Sequence, residues 1–144
     1  MKLQLTTTAK ANQYVATNEK GHSTRFEYDD KINNKSVLSP LEALASSLGA
    51  CMMVDIDSIS KKQKQDIDLI QIDLDVDRQN VDQHTEFKSI HVTVRVLGNK
   101  ISTKKLEKAI QLTTDTYCSV YKMLSKTISI QVDIDIIEQK ESSD

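Results

Sequence analysis

Three stretches of the chain alternate apolar and polar residues with a period of two, the pattern of a strand with one buried face. In the first, Ile70, Ile72, Leu74 and Val76 lie opposite Gln71, Asp73, Asp75 and Asp77. The second sets Ile90, Val92, Val94 and Val96 against Ser89, His91, Thr93 and Arg95. The third sets Ile128, Ile130, Val132, Ile134 and Ile136 against Ser129, Gln131, Asp133 and Asp135. The polar stretch 79–86 between the first two suits an antiparallel hairpin with a longish loop. Weaker strand patterns occupy 2–8, 12–17 and 23–28. In the last of these Phe26 and Tyr28 share one face, and Arg25 and Glu27 the other.

Two helices are predicted. The first opens with Ser39 as N-cap, Pro40 in the first turn and Glu42 at the third position, a capping box. From Ala43 to Val54 it carries no charge and many small residues. A helix apolar on every side is a buried central helix rather than a surface one. Gly49 and Ala50 leave room for a ligand or another chain to approach it. The second helix starts at Ser102 or Thr103 and spaces Leu106, Ile110, Thr113, Tyr117, Val120 and Leu124 by three and four. Cys51 lies deep within the first helix and Cys118 deep within the second.

A chain of 144 residues fits one domain, 1–144, and can bury a sizeable core. A short polar tail at 139–144 is expected to fray. The formal net charge of −2 argues against a nucleic-acid or anionic-membrane surface driven by bulk charge. No apolar run approaches the roughly 20 residues that span a bilayer, and the first residues lack the apolar stretch of a secretory signal. A cytoplasmic location is therefore expected, where a structural disulfide would be unusual.

Cys51 and Cys118 are the only cysteines. They fall short of a zinc site unless His22, His84 or His91 joins them, and no CxxC or HxxxH spacing supports that. No metal and no cofactor is expected. If folding brings the thiols together, the chain has what thiol redox chemistry needs: one nucleophile, and one partner to close a disulfide onto it. The alternative is that each thiol is a small core hydrophobe, the commonest fate of free cysteine. Tyr117 and Tyr121 flank Cys118 as core residues with hydroxyls at the rim. His91 falls on a solvent face, His84 in a loop and His22 in a turn beside Gly21, so none is placed as a base for Cys51.

The segments Ser39-Pro40-Leu41-Glu42-Ala43-Leu44 and Leu48-Gly49-Ala50-Cys51 resemble the active-site helix of the OsmC/Ohr family, the osmotically inducible and organic hydroperoxide resistance proteins. Tyr117-Cys118-Ser119-Val120, continuing to Met123-Leu124 and a final strand, is similar to its second cysteine motif. The order of elements agrees over nearly the whole chain. The resemblance is to the less-studied OsmC-like branch more than to the well-studied peroxidases. It implies an α+β fold, with antiparallel sheets packed on a long buried central helix, and an intertwined homodimer with active sites at the interface. It implies that Cys51 attacks an organic hydroperoxide and becomes a sulfenic acid, and that Cys118 resolves it as a disulfide. An external dithiol, a lipoylated protein in studied members, then reduces that disulfide. The alternative function is a non-catalytic small-ligand-binding or redox-sensing member.

The family's activating groups are an arginine and a glutamate ten residues before the first cysteine. Here that position is Leu41, and Glu42 stands nine before Cys51. Nine steps of about 100° and 1.5 Å place Glu42 about 180° around the helix and roughly 13 Å along it. Glu42 is thus either the capping-box acceptor or, through a shifted helix start or the partner chain, the activating carboxylate. Thr24-Arg25-Phe26-Glu27 is similar to the family stretch that carries the arginine, which makes Arg25 either that cation or a solvated strand residue. Arg78 and Arg95 occupy polar strand faces and are weaker choices.

Overall fold

The computed structural model describes residues 1–28 and 36–138. The tail expected to fray at 139–144 lies outside the described residues. Backbone contacts gather the chain into two compact units, 1–46 and 47–144.

The first unit carries an antiparallel three-stranded sheet in chain order: β1 (Leu3–Thr7), β2 (Gln13–Asn18) and β3 (Ser23–Glu27). These are the three weak strand patterns of the sequence. The β2–β3 turn is local chemistry: the Asn18 Oδ1 accepts the backbone N–H groups of Lys20 (2.9 Å) and His22 (3.1 Å). Gly21 takes the left-handed φ of 83° that the turn requires. At the end of β3, Glu27 is only 5% exposed, yet it is fully partnered. Lys10 reaches it at 2.6 Å, and the backbone N–H and hydroxyl of Ser36 donate to it at 3.2 and 3.0 Å. The hydrogen bond from Lys10 is the main reason its carboxyl lies below the usual carboxylate range, with Ser36 adding to the effect.

Helix α1 (Pro40–Lys62) begins in the first unit and runs through the second. There β4 (Asp66–Val81) and β5 (His84–Asn99) form a long antiparallel hairpin. After it come α2 (Thr103–Leu112), α3 (Ser119–Leu124) and β6 (Ser129–Glu138). The sheet order is β4-β5-β6, and β6 joins β5 in parallel, so this sheet is mixed rather than purely antiparallel. A parallel neighbour needs a long crossover, and the two helices between β5 and β6 supply it.

The strand alternation reads through directly. Ile90, Val92, Val94 and Val96 on the central strand are at most 2% exposed, and Leu48, Met52, Ile56, Leu106 and Ala109 complete the core at 0%. The polar row of the same strands forms a charged outer face. Arg95 bridges Asp73 (2.6 Å) and Asp135 (3.1 Å), while His91 meets Asp133 at 2.6 Å.

Three expectations are corrected here. The loop expected at 79–86 is strand: Gln79 pairs with Glu86, Asn80 with Thr85 and Val81 with His84. Only Asp82 and Gln83 turn, Asp82 with a left-handed φ of 52°. The polar residues extend the ribbon because they satisfy each other across it, Gln79 donating to Glu86 at 2.7 Å and Thr85 to Asn80 at 3.0 Å. Second, α1 is not buried on every side of this chain. Leu48, Met52, Ile56 and Ser60 form its buried stripe, but Leu44 is 42% and Val54 69% exposed. By length and composition α1 would also pass for a membrane span, which the sequence reading did not anticipate. Its contacts are those of a core helix: a Cβ added at Gly49 would lie 3.3 and 3.6 Å from Leu74 and Ile72 of β4. The glycine therefore serves close approach of helix to sheet rather than space for a ligand. Third, the second helix does not run unbroken to Leu124, and the interruption falls at Cys118.

Candidate functional site

Cys51 sits on α1, and Asp55 follows it at i+4, one turn further along the same face. Cys118 reaches them because the crossover helix breaks. Thr113 turns its hydroxyl back to the Ala109 carbonyl (2.9 Å), and Thr114 does the same to Gln111 (3.2 Å). Such back-bonding by short polar side chains competes with the regular ladder. The chain then makes a π-helical turn, Thr113–Tyr117, and Cys118 becomes extended at φ −71° and ψ 102°. Its backbone N–H bonds the Thr113 carbonyl at 2.9 Å, and its sulfur caps α3 by accepting the Tyr121 N–H at 3.4 Å. π-bulges of this kind concentrate at functional sites.

The Sγ atoms of Cys51 and Cys118 and a carboxylate oxygen of Asp55 all lie within 4.8 Å of one another. The two thiols are unequal. Cys51 is half-buried, whereas Cys118 is 0% exposed. Burial pushes the Cys118 thiol up to about 12, helped by its hydrogen bond to Cys51 and by the charges of Cys51 and Asp55; the Tyr121 N–H opposes the rise. An approaching reagent therefore meets Cys51 first, with Cys118 waiting behind it as a protonated thiol.

Each of the other predicted residues has defined surroundings within its own element. Glu42 completes the capping box: its carboxylate accepts the Ser39 N–H at 2.7 Å, and its own N–H donates to the Ser39 hydroxyl at 3.3 Å. Ser39→Ala is expected to cost about 1 kcal/mol in urea unfolding, while Glu42→Gln, which preserves the acceptor, should cost well under half of that. Arg25 is an exposed residue of β3 opposite Val15, in the first unit. Arg78 is exposed beside a bulge in β4, and Arg95 is held by carboxylates on the outer face. Tyr121 is half-buried, and its backbone serves Cys118. Tyr117 is 57% exposed rather than packed, because the π-turn carries it away from the core side of α2. Of the histidines, His84 opens β5 instead of lying in a loop. Ala50 lines an open groove of about 410 Å³ with Met53, Val54, Ile67, Leu69 and Ile70; Cys51 is not among its walls.

Asp55 is the site residue that sequence reasoning missed. Its signal was present, an acidic residue one turn after a cysteine and just past the uncharged stretch from Ala43 to Val54, but it points to a site only once the second sulfur is known to arrive there.

A reachable thiol backed by a buried one, on a helix packed against a mixed sheet, defines an α+β dithiol protein. The family model for OsmC-like protein matches residues 33–133, and the chain belongs to that family. Protein YhfA of Escherichia coli (strain K12) is 27% identical over 99 residues, covering 69% of this chain and 73% of YhfA. Two solved structures share the fold. The OsmC-like protein of Mycoplasma pneumoniae superposes with a TM-score of 0.76 at 16% identity, over 95% of this chain and 98% of its own. An organic hydroperoxide resistance protein from Elizabethkingia anophelis gives 0.67 at 14%, over 95% and 97%.

Proposed function

We propose that this chain is a cytoplasmic, homodimeric, thiol-dependent peroxidase that reduces organic hydroperoxides in defence against oxidative stress. The observation that carries the reading is the pair of adjacent sulfurs of unequal exposure. Membership of the OsmC-like family and a structural neighbour titled organic hydroperoxide resistance protein support it. The exposed apolar residues of α1, Leu44 and Val54, support the dimer, since a partner chain would cover them.

In this reading the Cys51 thiolate attacks the distal oxygen of the hydroperoxide. The O–O bond breaks, the alcohol leaves with a proton, and Cys51 holds a sulfenic acid. The Cys118 sulfur attacks the Cys51 sulfur, the S–OH bond breaks, water leaves, and the disulfide closes. An external dithiol, a lipoylated protein being the reductant the family suggests, restores both thiols by two exchanges and leaves as its own disulfide. Arg25 is proposed as the cation that favours the Cys51 thiolate, with Glu42 as its holder. Arg25→Gln and Glu42→Ala are both expected to slow the first step, whereas Glu42→Gln tests charge apart from capping.

The test mixes reduced protein with cumene hydroperoxide and a dithiol and follows peroxide loss. Wild type should consume peroxide continuously. Cys51→Ser should lose essentially all of that rate, since no other group in the site can take up the oxygen. Cys118→Ser should form a trappable sulfenic acid and close no intramolecular disulfide. A wild type no faster than Cys51→Ser would end the peroxidase reading. A wild type that forms the disulfide once but does not turn over would favour redox sensing instead.

A further inference from the structure

We infer that the reduced Cys51–Asp55–Cys118 cluster is a binding site for a thiophilic divalent cation, zinc above all, and that bound metal and the Cys51–Cys118 disulfide exclude each other. The inference stands apart from hydroperoxide turnover and needs only the reduced cluster. Its basis is convergence. The three donor atoms come from two separated segments and lie within 4.8 Å of one another. Around a tetrahedral zinc with Zn–S of about 2.3 Å and Zn–O of about 2.0–2.2 Å, donor atoms sit roughly 3.5–3.8 Å apart. Small side-chain rotations thus bring this cluster onto the ion.

The donor chemistry agrees with the spacing. Two cysteine sulfurs are soft ligands that favour zinc over calcium or magnesium, which separates this cluster from the exposed carboxylates of the sheet's outer face. Cys51 and Asp55 stand at i and i+4 on one helix, the spacing by which helical zinc sites present two ligands on one face. Cys118 closes the site from the opposite segment. The Tyr121 N–H donated to the Cys118 sulfur at 3.4 Å is an outer hydrogen bond of the kind that orients a metal-bound thiolate. Cys118 is fully buried, while Cys51 and Asp55 are half-buried, so the site is walled on one side and enterable from the other. Three protein ligands leave a fourth position for water or an incoming thiol. The sequence search for a third ligand considered only histidines; the structure supplies a carboxylate.

Metal and disulfide compete for the same two sulfurs. With diamide as oxidant, two thiolates lose one electron each and form the S–S bond. The azo bond of diamide takes up both electrons and two protons to become a hydrazine, and the zinc leaves as the free dication.

The experiment titrates the reduced full chain, freed of metal, with Zn²⁺, reading stoichiometry by native mass and affinity by competition with a chromogenic chelator. Co²⁺ in place of Zn²⁺ reports sulfur ligation through its thiolate charge-transfer band. One ion per chain is expected, with that band, and one equivalent of diamide should release the ion. Cys51→Ser and Cys118→Ser should abolish the band, and Asp55→Asn should weaken binding at least about tenfold. His91→Ala, on the outer sheet face, should change neither. Serine caps helices well, so Cys118→Ser is expected to fold, which circular dichroism checks. The diamide release on wild type keeps the test decisive if a variant does not fold. The inference is overturned if no ion is retained, if the cobalt complex lacks the thiolate band, if Cys118→Ser holds the ion as tightly as wild type, or if the oxidised chain keeps it. An inactive peroxidase that still binds one zinc through both thiols sinks only the proposed function; an active one that binds none sinks only this inference.

Discussion

Closure of the Cys51–Cys118 disulfide is expected to quicken about tenfold for each unit of pH between about 7 and 10, the largest effect that any single variable should have on this protein. The attacking species in disulfide formation is a thiolate, and Cys118 is held protonated with its thiol pushed up to about 12, chiefly by burial. At neutral pH its thiolate fraction is then on the order of 10⁻⁵, and each unit of pH multiplies that fraction by ten until the thiol itself titrates. Oxidation of Cys51 changes the hydrogen bond and charge it offers, but the desolvation that heads the causes remains. The measurement oxidises Cys51 with one equivalent of hydroperoxide, quenches at intervals, and reads sulfenic acid against disulfide by intact mass. A closure rate flat from pH 7 to 10 would show that Cys118 reacts from a better-solvated position. Asp55→Asn removes one of the charges that raise this thiol and should speed closure at neutral pH. That is the opposite sign to its effect on metal binding, so one variant separates the two roles of the carboxylate.

The same desolvation has an equilibrium consequence. In the folded chain Cys118 holds its proton more firmly than in the unfolded chain, where the thiol returns to about its ordinary 9.0. Below that value both states are protonated and the folded state is unaffected. As pH climbs from about 9 towards 12 the unfolded chain loses the proton first, so the contribution to stability is lost across that window. Wild type should therefore lose stability in alkali faster than Cys118→Ser, a difference that urea midpoints at pH 8 and pH 10.5 will read.

Gly98→Ala should be the most damaging single methyl in the chain, costing about 3 kcal/mol or more. Gly98 is buried near the end of β5, paired with Ile67 across the hairpin. A Cβ there would clash with the Asp66 carbonyl oxygen and lie 2.8 Å from the Ile101 side chain and 3.0 Å from the Ile67 Cα. Two of these neighbours are backbone and cannot swing aside, so the start of β4 must move off β5. The bulge between Ile67 and Leu69 already takes up one irregularity at this corner and leaves little slack. Urea unfolding should show the midpoint falling with the slope retained. A loss under about 1 kcal/mol would mean that the corner yields more readily than close-packed backbone does. The contrast is Gly49→Ala, whose added methyl meets only side chains, at 3.3 Å or more, and should be tolerated far better.

The strands were legible because burial on one face imposes a period of two. Ile90 to Val96 and Ile130 to Ile136 could be assigned to their faces without any knowledge of their neighbours. The first helix was legible at its start, where Ser39 and Glu42 are a local hydrogen-bonding unit. Its surroundings were not, since composition cannot say whether an apolar flank such as Leu44 and Val54 is covered by this chain or left open. The hairpin's length was misread for a related reason: Gln79, Asn80, Thr85 and Glu86 look like a loop until they are seen satisfying each other across two strands.

By itself the amino-acid order determined that the chain mixes strands with helices, which rows of β4, β5 and β6 are apolar, and the two residues able to carry thiol chemistry. Those depend on periodicity and on side-chain type, which are properties of a linear string. Tertiary structure alone decided that Cys51, Cys118 and Asp55 share a space less than 5 Å across. It also decided that Cys118 interrupts a helix rather than riding inside one, and that of the two thiols only Cys51 can be reached. Proximity and unequal burial arise from the closing of long loops and from a π-turn whose cause is hydrogen-bond competition, and neither leaves a periodic trace in sequence.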